Sequence, residues 1–410
     1  MDVKNAKNLT AAVAVSLPLA FLMAPAALAA DCEGDAPCSA WSVEAGYTAD
    51  LMRNTRGGLG VGSAYLDALD LLATVDAGRV WGLDGLTIHG HLQYNNGAAF
   101  TGRWVGDNQT VSNIEGFDTL RVYELWAEWA LGSEAAAGSL RFGLYDLNSE
   151  FDSIDTAGLF LNASHGIGPE FAQSGLNGPS IFPVTSLALR WRGSRGDAYW
   201  QLAALDAVPG DRNDPEESGI HLDSSEGALL VGEFGMSKGR ISKLAVGAWS
   251  YTARFDSLDE TDPLTGDPLQ ARGNAGVYAL VDAQLWQGAT ARLDGFLRVG
   301  VARDRFNGVA DYVGTGVVLA SPFAARPDDQ LGFSIASAGT GAALRSLGTL
   351  LGAPVERRET TLEFAWRAPI RDWLTLQPDL QFVINPGFDP TLDNAWVVGL
   401  RVELSGALER

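Results

Sequence analysis

Apolar and polar residues alternate along this chain in segments of roughly ten residues, the period expected of strands with one greasy and one wet face. Leu362, Phe364 and Trp366 alternate with Thr361, Glu363, Ala365 and Arg367. Trp396, Val398, Leu400, Val402 and Leu404 alternate with Val397, Gly399, Arg401 and Glu403. Leu293, Leu297, Val299 and Val301 alternate with Arg292, Asp294 and Arg298. Successive side chains of a strand point to opposite faces, so each segment presents one apolar side. Sixteen strands are predicted, at 41–51, 63–76, 85–95, 119–131, 138–148, 184–193, 196–206, 225–235, 240–252, 274–286, 290–303, 308–319, 329–337, 357–367, 373–385 and 393–405.

The same alternation would suit a soluble sandwich with its greasy faces turned inward. Number and spacing decide between the two. Short connections at Gly132–Ala137, Gly193–Arg195, Gly235–Gly239, Gln287–Ala289 and Ala368–Asp372 are interleaved with long ones at 96–118, 149–183, 207–224, 253–273 and 338–356. Short turns at one rim and long loops at the other are the pattern of an outer-membrane barrel. Beyond the N-terminal leader, no run of 18 or more apolar residues offers a helical span. The fold expected is therefore all-β: a transmembrane antiparallel β-barrel of 16 strands with long extracellular loops and short periplasmic turns. Lipid offers no hydrogen-bond partner, so such a sheet must close on itself. With the N-terminus periplasmic, Trp41, Trp129, Trp191 and Trp366 all fall on the apolar face near the periplasmic rim. That is where amphipathic indoles collect. Pro378 cannot donate to the ladder, so a bulge or a rim position is expected there.

The first 29 residues are set aside as a cleaved signal peptide. Lys4 and Lys7 precede an apolar run that ends in Ala27-Leu28-Ala29. Residues 30–40 form a short periplasmic segment, 41–405 the barrel and 406–410 a C-terminal tail. Cys32 and Cys38 could close a small disulfide loop in an oxidising periplasm. The net charge of −21 becomes −22 once Asp2, Lys4 and Lys7 leave with the signal. That acidity disfavours nucleic acid and polyanionic substrates. Lysine recurs after the signal only at Lys238 and Lys243.

Sixteen strands enclose a water-filled lumen, so function depends on what narrows it. On the fourth strand Glu124, Trp126 and Glu128 lie on the face opposite Tyr123, Leu125 and Trp129. An indole between two carboxylates suits a sugar: the ring meets its C–H face and the carboxylates accept its hydroxyls. The competing reading is that Trp126 packs against a loop folded into the pore. Arg141, Arg190, Arg192, Arg292, Asp294 and Arg298 are also expected to face inward. Opposed acidic and basic walls would orient dipolar solutes, whereas simple pairing would only keep the lumen hydrated. For Arg401 and Glu403 pairing is the preferred reading. The 149–183 connection, with Phe151, Phe160 and Phe171, has the length of a functional loop and suits an inward-folded constriction.

Signals for catalysis are poor. His165 beside Ser164 has no acidic partner at a diagnostic spacing, and no metal-ligand cluster or cofactor motif is apparent. Gly58-Leu59-Gly60-Val61-Gly62 fails phosphate-loop spacing and marks a turn before the second strand.

Several strings resemble the carbohydrate-selective, OprB-like outer-membrane porins: YLDALDL (65–71), LQYNNG (92–97), LRVYELWAEW (120–129), LYDLNSEFDSIDTAG (144–158), GIGPEFAQSGLNGPSIFP (166–183), RPDD (326–329) and LQPDLQFVINPGFDP (376–390). They are spread over nearly the whole mature chain. The resemblance implies a sixteen-stranded barrel with inward-folded loops in the bacterial outer membrane. It implies a narrow channel for passive diffusion of glucose-like monosaccharides, without a cofactor, at a constriction lined by Arg, Glu and Trp. Glu124, Trp126 and Glu128 carry that pattern in the matching string, and Arg141 extends it. A general or cation-leaning porin is the alternative; a barrel-borne enzyme or a surface structural barrel ranks lower. Small carbohydrates, outer-membrane lipid and the barrel-assembly machinery are the expected partners, and the choice between single barrels and a homotrimer stays open. One departure is the C-terminus, which runs past Leu404 to Arg410 without a terminal aromatic residue.

Overall fold

In a computed structural model, which describes residues 39–133, 136–211, 214, 217, 219–223 and 225–409, the chain is a closed antiparallel barrel. The signal segment and both cysteines lie outside the described residues. The strands are β1 Trp41–Arg56, β2 Gly62–Asp76, β3 Leu86–Asn96, β4 Asp118–Ser133, β5 Ala136–Tyr145, β6 Ser186–Arg195, β7 Ala198–Asp206, β8 Ala228–Lys238 and β9 Ile241–Tyr251. There follow β10 Arg254–Thr261, β11 Pro268–Arg272, β12 Ala275–Gln287, β13 Arg292–Ala302, β14 Val309–Ala320, β15 Gln330–Thr340, β16 Arg358–Arg371, β17 Leu374–Ile384 and β18 Ala395–Glu409. Each barrel strand pairs with its sequence neighbour, β9 with β12, and β18 closes the sheet on β1. Each of the sixteen predicted strands has its counterpart.

The greasy face of the barrel points outward. Leu51, Leu71, Phe142, Leu202, Phe234, Val277, Phe364 and Val398 are all exposed, while their strand neighbours Asp50, Asp70, Arg141, Gln201, Glu233, Tyr278, Glu363 and Val397 are buried inside. A soluble protein would invert that order; here the apolar side meets hydrocarbon. Trp41 opens β1, and Trp129 faces Leu86 at the start of β3. Trp191 faces Leu140 and Leu202, and Trp366 faces Leu331 near the start of β15. All four lie towards the rim that carries the two-residue turns at 196–197 and 372–373.

Four details differ from the sequence reading. The rim of long loops also carries the short links 57–61, 303–308 and 385–394, so alternation in length is not strict. At 57–61 both Gly57 and Gly58 take positive φ, and a Cβ on Gly57 would strike the backbone of Asn394. The 252–274 connection contains the hairpin β10–β11, which stands outside the barrel sheet. Pro378 causes no bulge: pairing with β16 lapses between Ala365↔Asp379 and Ala368↔Leu376 and resumes in the same register. The missing N–H is absorbed as a gap in the ladder. Finally, the segment read as a tail from 406 is strand: Gly406, Ala407, Leu408 and Glu409 pair with Ala45, Glu44, Val43 and Ser42. β1 extends as far, and an unpaired edge at the closing seam would leave its amides without partners.

The interior is largely occupied by chain. The 146–185 connection folds into the lumen and buries Phe151, Phe160 and Phe171 against β9, β12 and β13. Phe171 stacks on Trp249 at 4.9 Å, and Phe160 meets Phe296 at 6.0 Å. Aromatic area, not polar contact alone, holds the loop inside.

Candidate functional site: the lumen wall and its two loops

The wall of β2 to β6 carries one dense cluster of the polar residues that face the lumen. On β4 the alternation is broken at Tyr123: His91 pairs with Glu124 and Leu92 with Val122, leaving Tyr123 as an extra residue. The bulge turns Tyr123 inward alongside Glu124, where its hydroxyl donates to Asp146 Oδ2 at 2.8 Å. This corrects the placement of Tyr123 on the outer face. A constant period of two cannot anticipate an inserted residue. Beyond the bulge, Glu124, Trp126 and Glu128 share the inner face as expected.

Trp126 is 5% exposed. His89 from β3 stacks on it at 4.8 Å, and the Arg141 guanidinium from β5 lies 3.7 Å from its ring centre. Its Nε1 donates to Glu124 Oε1 at 3.2 Å. The indole is thus a support for Arg141 rather than an open platform. Arg141 Nε donates to Glu128 Oε2 at 2.6 Å, and Arg190 Nη2 reaches the same oxygen at 2.6 Å. From the loop, Glu150 accepts Arg190 Nε at 2.7 Å and Nη2 at 2.8 Å, and Tyr145 Oη at 2.6 Å. Arg192 lies 3.4 Å from Glu150 and is about two-fifths exposed, while Glu128 is about one-quarter exposed. These are the two groups of the cluster that solvent reaches most.

Glu124, Trp126, Glu128, Arg141 and Arg190 are therefore brought together as one constellation. Arg292 and Asp294 are not part of it: they pair with each other at 2.7 Å at the start of β13. Arg298 is separate again, buried with Asp152 and Glu170 of the loop. Acids and bases do not form two facing walls, because Arg141, Arg190 and Arg192 interleave with Glu128 and Glu150 on one arc. Arg401 pairs with Asp50 at 2.8 Å and Glu403 with Arg367 at 2.9 Å, the structural role preferred for both.

Several other inward carboxylates hold the loops. Glu233 accepts Asp152 N at 2.9 Å, Asp282 accepts Thr156 N at 3.0 Å, and Glu363 accepts Leu161 N at 2.5 Å and Asn162 N at 3.2 Å. In the 97–117 connection, Asn108 N and Gln109 N donate to Glu359 at 2.8 and 3.0 Å. The two loops also bind each other, through Asn113 N to Leu161 O at 2.7 Å and Ala163 N to Thr110 O at 2.9 Å. A charged acceptor shared by two amides is among the stronger hydrogen-bond arrangements. Sequence reasoning missed this use of Glu233, Asp282 and Glu359. It also missed Asp70, His89, His91, Gln93 and Arg121 on the inner wall. Polar residues at alternate positions 89, 91 and 93 were the available signal.

Loop electrostatics follow from burial. Burial works to raise the Glu150 carboxyl, but the guanidiniums of Arg141, Arg190 and Arg192 hold it below its ordinary range. His165, packed between Phe160 and Phe296, is pushed down to about 3 by burial and stays neutral. It is a packing residue beside Ser164, with no hydrolytic arrangement around it. Burial, reinforced by the charge of Glu124, pushes Asp146 up to about 7. A carboxyl raised above its unfolded value near 4 stabilises the fold while protonated. That contribution is complete below about pH 4 and is lost as pH rises through about 7. The loop entrance at 146–150 should therefore exchange its amides faster at pH 8 than at pH 5, after correction for intrinsic rates. Asp146→Asn should remove the difference. Equal protection at both pH values in the unaltered protein would exclude a protonated Asp146.

Comparison with known proteins matches this architecture. The family model for the carbohydrate-selective porin, OprB family, matches residues 61–405. Porin B of Pseudomonas aeruginosa is 25% identical over 378 residues, covering 83% of this chain and 81% of its own. A high-pH structure of Pseudomonas putida OprB superposes with a TM-score of 0.78 at 21% identity, covering 89% of this chain and 94% of that one. A low-pH structure of the same protein gives a TM-score of 0.55 at 16% identity, covering 89% and 92%. Fold and family together assign a channel, not an enzyme. The chain belongs to the carbohydrate-selective porin family OprB and forms a carbohydrate channel of the bacterial outer membrane.

Proposed function

We propose that this channel passes small neutral carbohydrates of monosaccharide size, glucose among them, by passive diffusion, and that the wall of β4 to β6 is the surface they slide along. The observation that supports this most is the packing of two loops inside the lumen, each tied to wall carboxylates by backbone amides. Loops held in that way keep a fixed, narrow cross-section without gating. Glu128 offers acceptors and Arg192 donors, the pair of functions a sugar hydroxyl needs. Trp126, covered by His89 and Arg141, acts by positioning Arg141. Arg190 belongs to the same arc of paired charges, Glu124 anchors the Trp126 indole and the Asp146 amide, and the outward apolar face supplies the lipid contact.

Planar-bilayer recording tests the reading. A small open-channel current that glucose reduces in a saturable way is expected, and liposome swelling should favour monosaccharides over disaccharides. A large, glucose-insensitive current would replace the proposal with a general, cation-leaning porin, as the acidic composition allows. Trp126→Ala should weaken glucose block several-fold while the barrel stays assembled, because Arg141 loses its aromatic support. Unchanged block would remove this cluster from the sugar path.

A further inference from the structure

The connection between β7 and β8 packs Ala207 and Val208 against the lumen loop and then leaves it to carry its own chemistry. From 207 to 227 it holds six carboxylates against the lone Arg212, together with His221. Its turns are local: Asp214 N donates to Asp211 O at 3.3 Å, and Glu217 N to Asp214 O at 3.1 Å. They bring one ligand atom each from Asp211, Glu217 and His221 within 4.8 Å of one another. The Glu217 Oε2 to His221 Nε2 distance is 3.7 Å. Two ligands of a tetrahedral zinc, each about 2.1 Å from the ion, stand roughly 3.4 Å apart. The Glu217–His221 pair therefore needs only a small closure, and Asp211 stands within 4.8 Å of both. Gly219 helps: a Cβ there would lie 2.9 Å from His221 Nε2, so a larger residue would push the ring away. His221 also lines a small cleft together with Asp206 at the end of β7.

We propose that Asp211, Glu217 and His221 form a binding site for a divalent transition-metal cation, zinc in type, on the extracellular side of the barrel. The ligand set argues for that class. Calcium and magnesium prefer all-oxygen shells, whereas imidazole with carboxylates suits zinc. Two carboxylates neutralise the ion and the imidazole confers the selectivity. Filling the site would draw the two ends of the acidic segment together and relieve the repulsion among its like charges.

Titration calorimetry of the full chain, purified in detergent without a histidine tag, tests this with zinc chloride. One saturable zinc site is expected, with magnesium and calcium chlorides binding far more weakly. His221→Ala and Glu217→Gln should each weaken zinc binding at least about tenfold, since even outer-shell changes at metal sites cost that much. Heat-modifiable migration on gels checks that both variants remain closed barrels. Absence of saturable zinc binding would overturn the proposal. So would undiminished binding in both variants, which would place the ion elsewhere, for instance at His89 and His91 in the lumen.

Discussion

Arg298→Ala is expected to raise open-channel conductance and current noise while leaving a closed barrel. Arg298 projects from β13 into the loop, where it lies 2.5 Å from Asp152 and 2.6 Å from Glu170. Both carboxylates are fully buried and the guanidinium nearly so. Burial already works to raise both loop carboxyls, and the Arg298 guanidinium is the largest influence opposing it. Removing one partner of such an arrangement leaves uncompensated buried charge, a loss of about 3–5 kcal/mol. The sheet does not depend on that contact, because its ladder of strand pairs is continuous around the barrel. The cost therefore falls on the loop, which should lift from the wall and widen the passage. Protease cleavage within 149–175 should accelerate in parallel. Adding Asp152→Asn and Glu170→Gln to the variant should restore part of the low conductance, because the stranded charges are gone. If conductance is unchanged in the single variant, the aromatic contacts of Phe151, Phe160 and Phe171 suffice to hold the loop.

The contrast between those two kinds of contact explains what could be read in advance. Strand positions were legible because lipid and lumen impose opposite demands on alternate residues, and that demand is written into sequences such as 361–367 and 396–404. The hairpin β10–β11 went unseen because it is short and lies outside the barrel, where only Phe255 and Ser257 of β10 turn to a buried side and β11 is largely exposed. Where an extra residue enters, parity fails, as at Tyr123. Of the candidate site, the string from Glu124 to Glu128 and its neighbours Arg141 and Arg190 came together, since cross-strand adjacency follows from register. The role of Trp126 did not follow. Its burial depends on His89 and Arg141 crossing from strands on either side. Nor could the sequence tell Glu233, Asp282, Glu359 and Glu363, which grip loop amides, from carboxylates facing the passage. That distinction is set by the paths of the 97–117 and 146–185 loops, and loop paths carry no period.

Glu150 joins the loop to the sugar-facing wall, and Glu150→Ala should change selectivity as strongly as Arg298→Ala changes size. Its carboxylate is the shared acceptor of Arg190 and Tyr145, with Arg192 at 3.4 Å and Arg141 at 3.7 Å. Without it, Glu128 is the remaining carboxylate against Arg141 and Arg190. Arg190 is 1% exposed and cannot simply turn to water, so about 3–5 kcal/mol is lost locally. The wall gains one net positive charge beside the passage, which strengthens the field on small ions in a low-dielectric setting. The reversal potential in a salt gradient should shift towards anions, and more at low than at high salt because screening shortens the reach of the charge. Acid should mimic the variant in the unaltered protein. Burial tends to raise this carboxyl, but the three guanidiniums hold it below its usual value. Its contribution is present above about pH 4 and is lost as pH falls through the lowered folded value. Glu150→Gln keeps the shape and removes the charge, so it should reproduce the selectivity shift with less change in conductance noise. A variant whose reversal potential matches the parent at low salt would show that the ions pass elsewhere, and that Arg141, Arg190 and Arg192 do not face their path.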